Sequence, residues 1–596
     1  MLSELPSEII YQIATHLPTA NALAHLSQTC HRLHGIITAE NSRIFRAFVR
    51  SRFPYIETPP FWKDAARALT SRSRALDRKA IIGRFVVPPG TATKIGSHEV
   101  TRQDNPTLGY RPSIDSYETW NGQRWADRKE VLAWGAANQL VMRIKQTGVR
   151  AQEDWLVFND IDHVSSYDDI CSLHLLSSAT RYSNDTHVEH LIFGRVRGDI
   201  VHLAISPNEA TFEHKQKFIS FGLNLDKTDL SSGTDSTLAA HFENGSIAFY
   251  HTETDDEVIE PFTWLRLEGS SRTNYSKLLS SSLVAVGTGN VENSLSISKI
   301  TPDGVSVYRT IGIGSLDADS TSLKSKANIG AIEPLNEHNL GSPGEVFLTA
   351  WDDYTVRLHD LRSPRPSEVS YRDATDLNPI YSLHAFGHDR FLAGAGGEAV
   401  VKIFDLRMCN TYSYLDAQFP DSQFNANTIP RTKAKPRPKK GFSIFLSHPP
   451  PPTFPQQTPH PVRTRQRGPY RGPIYTMSSP SPSSPTVYTG IVDGVVQLDF
   501  ASTDDLTGPG KEWYEYNLDL GVNMGPGSLP RWNAEAFNLA GYERPDDEDS
   551  ATTSKLRTQR AFADLKPGDA ARGTHTGWDC RWETLEEPGA WRRQDG

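Results

Sequence analysis

Seven times between residues 131 and 498 the chain sets an apolar strand, a turn and a second apolar strand in succession. These units run from Val131 to Ile144, Leu191 to Ile205, Leu238 to Tyr250, Leu283 to Ile297, Val346 to Leu358, Phe391 to Phe404 and Val487 to Leu498. Period-two alternation around a turn is the pattern of an antiparallel hairpin. Asn244-Gly245 and Asp493-Gly494 tolerate two positive φ angles, and Arg197-Gly198-Asp199, Asp352-Asp353 and Gly396-Gly397-Glu398 are looser versions. Successive units start about 60, 47, 45, 63, 45 and 96 residues apart, against the ~40 to 50 of one propeller blade with loop insertions. Seven hairpins at blade spacing are hard to reconcile with a sandwich, so the expected fold is an all-β propeller of seven blades, spanning 91–420 and 474–540.

The one long gap contains a foreign segment. From Asp421 to Pro473 the chain turns Pro-rich and basic, with Lys433 to Lys440, Pro449 to Pro452, and Arg463, Arg465 and Arg467. Such a stretch cannot bury enough apolar area to offset its ordering entropy, so 421–473 is read as a disordered insertion. Removing its roughly 53 residues brings the last gap to about 43, inside the blade range. Asn378-Pro379-Ile380-Tyr381-Ser382-Leu383 and Gly472-Pro473-Ile474-Tyr475-Thr476-Met477 resemble one another and mark where the blades resume. The charged stretch 541–596, with Asp546 to Asp549, is read as a second disordered segment. These two segments account for a hydrophobic content of only 37% over 596 residues.

The first fifty residues have a different period. Pro6 suits a first helical turn, and Ile9, Ile13 and Leu17 follow at i, i+4 and i+8, with Pro18 as a stop. Leu23, Leu26, Cys30 and Leu33 keep a three-to-four spacing, and Ile44, Phe45, Phe48, Val49 and Phe53 form a third stripe. Short helices of this kind must pack on each other or on a partner. Residues 51–90, with Phe53, Phe61, Trp62, Leu69 and Leu76, read as a helical linker fixing the angle between the helices and the propeller.

Two resemblances follow from these residues. Val356-Arg357-Leu358-His359-Asp360-Leu361-Arg362 and Val401-Lys402-Ile403-Phe404-Asp405-Leu406-Arg407 resemble the WD-repeat signature, with His or Phe in place of Trp, and Gln497-Leu498-Asp499 is a weaker copy. Most blades lack the usual Gly-His dipeptide. The segment Leu2 to Leu17, continued by Leu23 to Leu33, resembles an F-box over residues 1–50. The resemblance implies that Leu2, Leu5, Pro6, Ile9, Ile13 and Leu17 dock on the Skp adaptor of a cullin–RING (SCF) ubiquitin ligase. F-box plus WD-like propeller is the pairing of substrate receptors, whose partners are that complex and a protein substrate. The plainer reading of the same residues is a helical cap on the propeller. The rival function is a WD-repeat scaffold that takes no part in ubiquitin transfer. A propeller glycosidase is a more distant rival that needs paired carboxylates aimed into the channel.

Chemistry beyond docking is not encoded in any recognisable constellation. No GxSxG, HExxH or Walker A motif occurs, so no catalytic residue and no cofactor is expected. Gly394-Ala395-Gly396-Gly397 lies between two strands and reads as a hairpin turn rather than a phosphate loop. Asp160, Asp162, His163, Asp168 and Asp169 lack the spacing of a calcium loop and read as solvated loop acids. His16, His25, His31 and His34 read as surface or packing residues. Cys30, Cys171, Cys409 and Cys580 are too dispersed for zinc or a disulfide scaffold. A net charge of -9 argues against a nucleic-acid coat, and the absence of a long apolar run argues against a membrane span. The expected location is cytoplasmic or nuclear, Lys433 to Lys440 being an import-signal candidate or simply a basic linker. Ser479-Pro480-Ser481-Pro482-Ser483-Ser484-Pro485 reads as a flexible loop open to proline-directed phosphorylation.

Overall fold

All seven strand–turn–strand units are antiparallel hairpins in the computed structural model of the chain. The structure describes residues 4–17, 19–54, 56–97, 100–104, 109–176, 188–231, 236–266, 275–290, 292–312, 328–335, 342–373, 375–387, 389–406, 441–446, 472–521, 536–544, 556–565 and 577–584. Leu2, Pro18, Lys433 to Lys440, Pro449 to Pro452 and Asp546 to Asp549 lie outside them.

Each hairpin gains a strand on either side, and six blades are built this way from strands that follow one another in the chain. The first comprises Ile114–Trp120, Arg128–Ala136, Gln139–Gln146 and Gln152–Asn159. The second and third run from Ile170 to Phe218 and from Leu225 to Leu265. The fourth, fifth and sixth run from Tyr275 to Ile311, from Ile329 to Arg372 and from Ile380 to Phe445. The expectation of seven blades is corrected to six, because the last hairpin does not build a blade of its own from consecutive strands. Its sheet is a composite of Thr476–Ser478, Thr486–Ile491, Gly494–Asp499 and a strand from the other end of the sequence, Ile82–Val86, which pairs antiparallel with Gly494–Asp499. Closure by a remote strand is a long-range pairing that local periodicity does not report.

The sheets are held to their neighbours by burial and by polar ties. Separate apolar clusters fill the wedges between adjacent sheets, for example Val131, Leu140, Leu173 and Phe193 between the first two blades and Val86, Trp134, Val141 and Tyr488 between the composite sheet and the first. Carboxylates on the innermost strands accept backbone N–H groups from the next sheet: Asp115 from Leu175 at 2.8 Å, Asp229 from Leu278 at 2.5 Å and Glu333 from Ala385 at 3.2 Å. Ser382 Oγ donates to Ile474 O and Thr476 Oγ1 to Pro112 O, both at 2.8 Å, so the ring closes with polar as well as apolar contacts.

Three segments depart from the sequence expectations. Phe442–Phe445, inside the 421–473 insertion, is the outer strand of the sixth blade, and Phe442 and Ile444 are buried. Ala540–Glu543, Leu556–Gln559 and Trp582–Thr584, in and around the 541–596 segment, add three further strands to that sheet. The 51–90 linker holds the closing strand Ile82–Val86, so only its first part is helical. In each case the strand is short, and Ile82–Val86 and Ala540–Glu543 also pair with strands far away in sequence, Gly494–Asp499 and Phe442–Phe445. The turns also differ from the two-positive-φ expectation: Gly245 has φ +81° and Asp493 φ +61°, one such residue per turn.

Before the propeller stand four helices: α1 (Ser7–Thr15), α2 (Ala20–Gln28), α3 (His31–Arg52) and α4 (Trp62–Asp77). Two more, α5 (Thr503–Thr507) and α6 (Lys511–Leu518), follow the composite sheet where no helix was expected. Ile37, Ile44, Phe45, Phe48, Ala65 and Leu69 share one core with Trp125, Leu506, Tyr514 and Leu518, so the helical module and the ring are packed as a continuous body. No helix among the described residues is long and apolar enough to cross a membrane.

Candidate functional site

Helix α1 has two apolar faces, and only one is used inside the chain. Pro6 occupies the N-cap, and its carbonyl accepts the N–H groups of Ile9 and Ile10, both at 3.1 Å. Ile10 and Ala14, four residues apart, are fully buried, Ala14 in a core shared with Leu23 of α2 and Ile37 of α3. Ile9 and Ile13 lie on the adjoining face, about 100° round the helix, with 47% and 37% of their surface exposed, and Pro6 beside them is also exposed. Leu5 is half-buried, and Leu17 packs partly on the helical core. Of the six residues singled out from the sequence, the structure therefore brings Pro6, Ile9 and Ile13 to a common exposed surface. Leu5 and Leu17 bracket it, and Leu2 lies outside the described residues.

Arginines from α3 fix the orientation of α1. Arg32 Nη2 donates to Leu5 O at 2.8 Å, just ahead of the helix. Arg52 Nη2 donates to Leu17 O at 3.0 Å and His16 O at 3.4 Å, where the last carbonyls of α1 lack intrahelical partners and the dipole favours a cation. Arg43 stacks over Tyr11 with its guanidinium carbon 5.1 Å from the ring centroid. Arg43 and Arg52 were missed in the sequence because a basic residue every few positions on a helix reads as a solvated face. Thr19 caps α2 by accepting from Ala22 N at 3.1 Å.

The module is mounted on the end of the ring where the innermost strands terminate. Ser71 Oγ donates to Asp505 Oδ2 at 2.6 Å, Tyr514 OH to Asp505 Oδ1 at 2.9 Å, and Arg74 and Arg78 pair with Asp505 and Asp504. Trp513 Nε1 donates to Asp64 Oδ1 at 2.9 Å. The coupling to Arg74 holds the largely buried Asp505 carboxyl below its ordinary pKa against the opposing effect of burial. Arg72 donates to the carbonyls of Pro482 and Ser484. The Ser479 to Pro485 run is thus an ordered tether rather than a flexible loop: Ser483 and Ser484 are buried, and Ser481 bonds to Glu118. The hairpin turns at Gly198, Gly245 and Asp493 lie at the other end of the ring.

The remaining candidates are absorbed by structure. Asp160 pairs with Arg195 at 2.6 Å, Asp168 with Arg197 at 2.7 Å and Asp169 with Arg102 at 3.3 Å, while Asp162 accepts from Ser97. Among the described residues no group of three or more His, Cys, Asp or Glu side chains is arranged to hold a metal ion. His16, His25, His31 and His34 are exposed. Gly394 to Gly397 ends a strand and turns, with Gly397 at φ +78°. In the fifth blade His359 Nε2 lies 2.7 Å from Thr349 Oγ1, which also accepts from Trp351 Nε1 at 2.7 Å. The corresponding Phe404 of the sixth blade stacks on Phe391 instead, with centroids 4.9 Å apart.

Comparison with known families agrees with the helical geometry. Residues 2–47 match the F-box-like family, which covers α1, α2 and most of α3. No curated protein matches the chain.

Proposed function

We propose that this chain is a non-catalytic substrate receptor of an SCF-type ubiquitin ligase, in which the F-box-like helices bind a Skp-type adaptor and the propeller holds a protein substrate. An F-box-like domain followed by a β-propeller is the arrangement on which the proposal stands. The single observation that carries it is the outward pair Ile9 and Ile13 with Pro6, an apolar surface left open by a helix whose other face is fully buried. Each such aliphatic side chain contributes ~1.5 to 3 kcal/mol when a partner buries it completely. Leu5 and Leu17 at the two ends, with Leu2 ahead of them, would extend the contact.

The shared core of α3, α4, α5 and α6 supports the rest of the reading. Adaptor binding through α1 would fix the propeller's position as well, so a substrate on the ring would be presented at a set distance from the ubiquitin-conjugating enzyme. Rate would then come from raised effective concentration, with no active site needed in this chain. Affinity purification with the proteasome blocked tests the assignment. Adaptor, cullin and RING subunits should co-purify together with a protein that accumulates, and Leu5→Ala with Pro6→Ala should release the adaptor. Adaptor without cullin or RING would place the chain among scaffolds that take no part in ubiquitin transfer.

A further inference from the structure

At the end of the ring away from the helical module, the chain passes from the outer strand of the second blade, Thr211–Phe218, to the inner strand of the third, Leu225–Leu230, through a tight turn. Leu223 N donates to Ser220 O at 3.1 Å, and both residues between them have positive φ, Phe221 at +55° and Gly222 at +75°. Glycine takes that conformation freely, but a bulky aromatic residue there is strained. Burial does not offset the strain, since Phe221 is 62% exposed. Strained residues of this kind concentrate at functional sites.

Phe221 belongs to a cluster of rings. Its centroid lies 5.9 Å from that of Trp264, which is 37% exposed on the outer strand of the third blade, and Trp264 in turn stacks on the buried Phe242 at 5.8 Å. Val258 adds another exposed apolar side chain, on the short strand whose next carbonyl, Ile259 O, accepts Ile219 N at 3.0 Å just ahead of the turn. Carboxylates flank the rings on both sides. Glu243 is exposed directly after Phe242, its N–H donating to Asn224 O and its carboxylate accepting from Asn224 Nδ2, both at 3.0 Å. Asp255, Asp256, Glu257 and Glu260 are exposed along the strand that enters Val258 and leaves Ile259. Among the described residues none of these five carboxylates forms an ion pair. Two cations stand at the margin, Lys217 opposite Val258 and Arg266 two positions beyond Trp264, so the surface around the rings is negative. Exposed aromatic faces attract cations, indole most strongly, and matching potentials select a partner of opposite charge.

We propose that the Phe221–Trp264 surface docks a basic segment of a protein partner, one arginine lying on the rings while Glu243, Glu257 and Glu260 receive the cations on either side of it. The carboxylates stand on opposite sides of the ring pair, at a hairpin turn of the third blade and beside the edge of the second. An extended segment therefore meets all of them, and a single small cation does not. The inference deepens the receptor reading and rests on it for the partner's being a substrate. It gives that substrate a docking chemistry and a place, the end of the ring opposite the helical module.

Fluorescence anisotropy on the full-length chain tests the site with a short labelled peptide of alternating arginine and serine, the same peptide with citrulline, arginine's neutral isostere, and one with glutamate. The arginine peptide should bind saturably, and the citrulline and glutamate peptides should not. Phe221→Gly suits the φ of +55° and should fold, and it should weaken binding about tenfold. That variant leaves the net charge at -9, so its loss of binding cannot come from general attraction to an acidic protein. Glu243→Gln combined with Glu260→Gln, at exposed positions, should also weaken binding and flatten its salt dependence. No binding of the arginine peptide, equal binding of the citrulline peptide, or undiminished binding in either variant would overturn the proposal. Binding that emerges only when Arg463→Ala, Arg465→Ala and Arg467→Ala are combined would assign the surface to this chain's own arginines and overturn it equally. Peptide binding needs no ligase subunit, so its failure leaves adaptor capture by α1 untouched and the two readings fail separately.

Discussion

Two neighbouring residues of α1 carry opposite roles. Ile10 is fully buried and Ile9 half exposed, although both are isoleucine and one position apart. Ile10→Ala should therefore cost about 2 to 5 kcal/mol of module stability, whereas Ile9→Ala and Ile13→Ala should stay within about 0.5 kcal/mol, as read by urea denaturation followed by helical circular dichroism. The sequence stripe Ile9, Ile13, Leu17 holds the two outward residues, Ile9 and Ile13, and one, Leu17, that packs partly on the helical core. It did not pick out Ala14, whose small side chain carries little weight in a hydrophobic pattern yet sits fully buried. Buried histidines set a second expectation. His174, His202, His359 and His384 are each lowered to about 4, mainly by burial, from an ordinary 6.5. Between pH 6.5 and 4 the unfolded chain takes up protons at these sites and the folded chain does not, so stability falls as pH falls. Asp115, raised to about 6 by burial, works the other way between about 4 and 6, as do Asp169 and Asp493, which burial also raises, but five imidazoles outnumber these three carboxyls, burial lowering His241 as well, to about 3. The melting temperature should drop steadily from pH 6.5 to 4.5, as unfolding free energy falls by on the order of 1 kcal/mol per pH unit for each uncompensated histidine. A flat profile over that window would show that these histidines are not held neutral.

At the scale of elements, the hairpins were legible because both strands and the turn lie within about fifteen residues of one another. The closing strand was not. Ile82–Val86 follows a helix directly, and its partner Gly494–Asp499 is some four hundred positions away. The same holds for Phe442–Phe445, embedded among prolines and lysines, and for the strands after residue 535. Gly83 shows how tight the closure is, since a Cβ there would approach the Phe537 ring to 2.9 Å. Phe85 stacks on Phe537 with centroids 4.6 Å apart, and Phe85→Ala should cost about 3 to 5 kcal/mol by chemical denaturation. The C-terminal strands clasp the same junction: Trp582 Nε1 donates to Lys79 O at 2.7 Å and Gln559 Nε2 to Ile81 O at 2.8 Å. Truncation after Glu535 should lower the melting temperature and expose the 79–86 region to protease. An unchanged melting temperature would return 541–596 to the dispensable segment its composition implied. Helices α5 and α6 were hidden for another reason, since five and eight residues directly after a strand, without the Leu and Ile stripes of α1 and α2, give too little periodicity to stand out.

For the molecule as a whole, the decisive feature is that the F-box-like helices and the ring do not meet through a free tether. Asp505 gathers Ser71, Arg74 and Tyr514 at their junction. Asp505→Ala should leave Arg74 without its partner in a mostly buried setting and cost roughly 3 kcal/mol or more. In a reconstituted ligase it should slow substrate ubiquitination while leaving adaptor affinity unchanged, because α1 is not touched. Equal rates would mean that the rigid mount is irrelevant to transfer. The central claim, that the outer face of α1 binds a Skp-type adaptor, is tested most directly by mixing the purified full-length chain with purified adaptor and measuring complex formation by size-exclusion chromatography with light scattering. The expected result is a one-to-one complex with the natural chain, lost when Ile9→Asp and Ile13→Asp are combined although the double variant melts at the same temperature. A complex that survives the double substitution, or none with the natural chain, would contradict it.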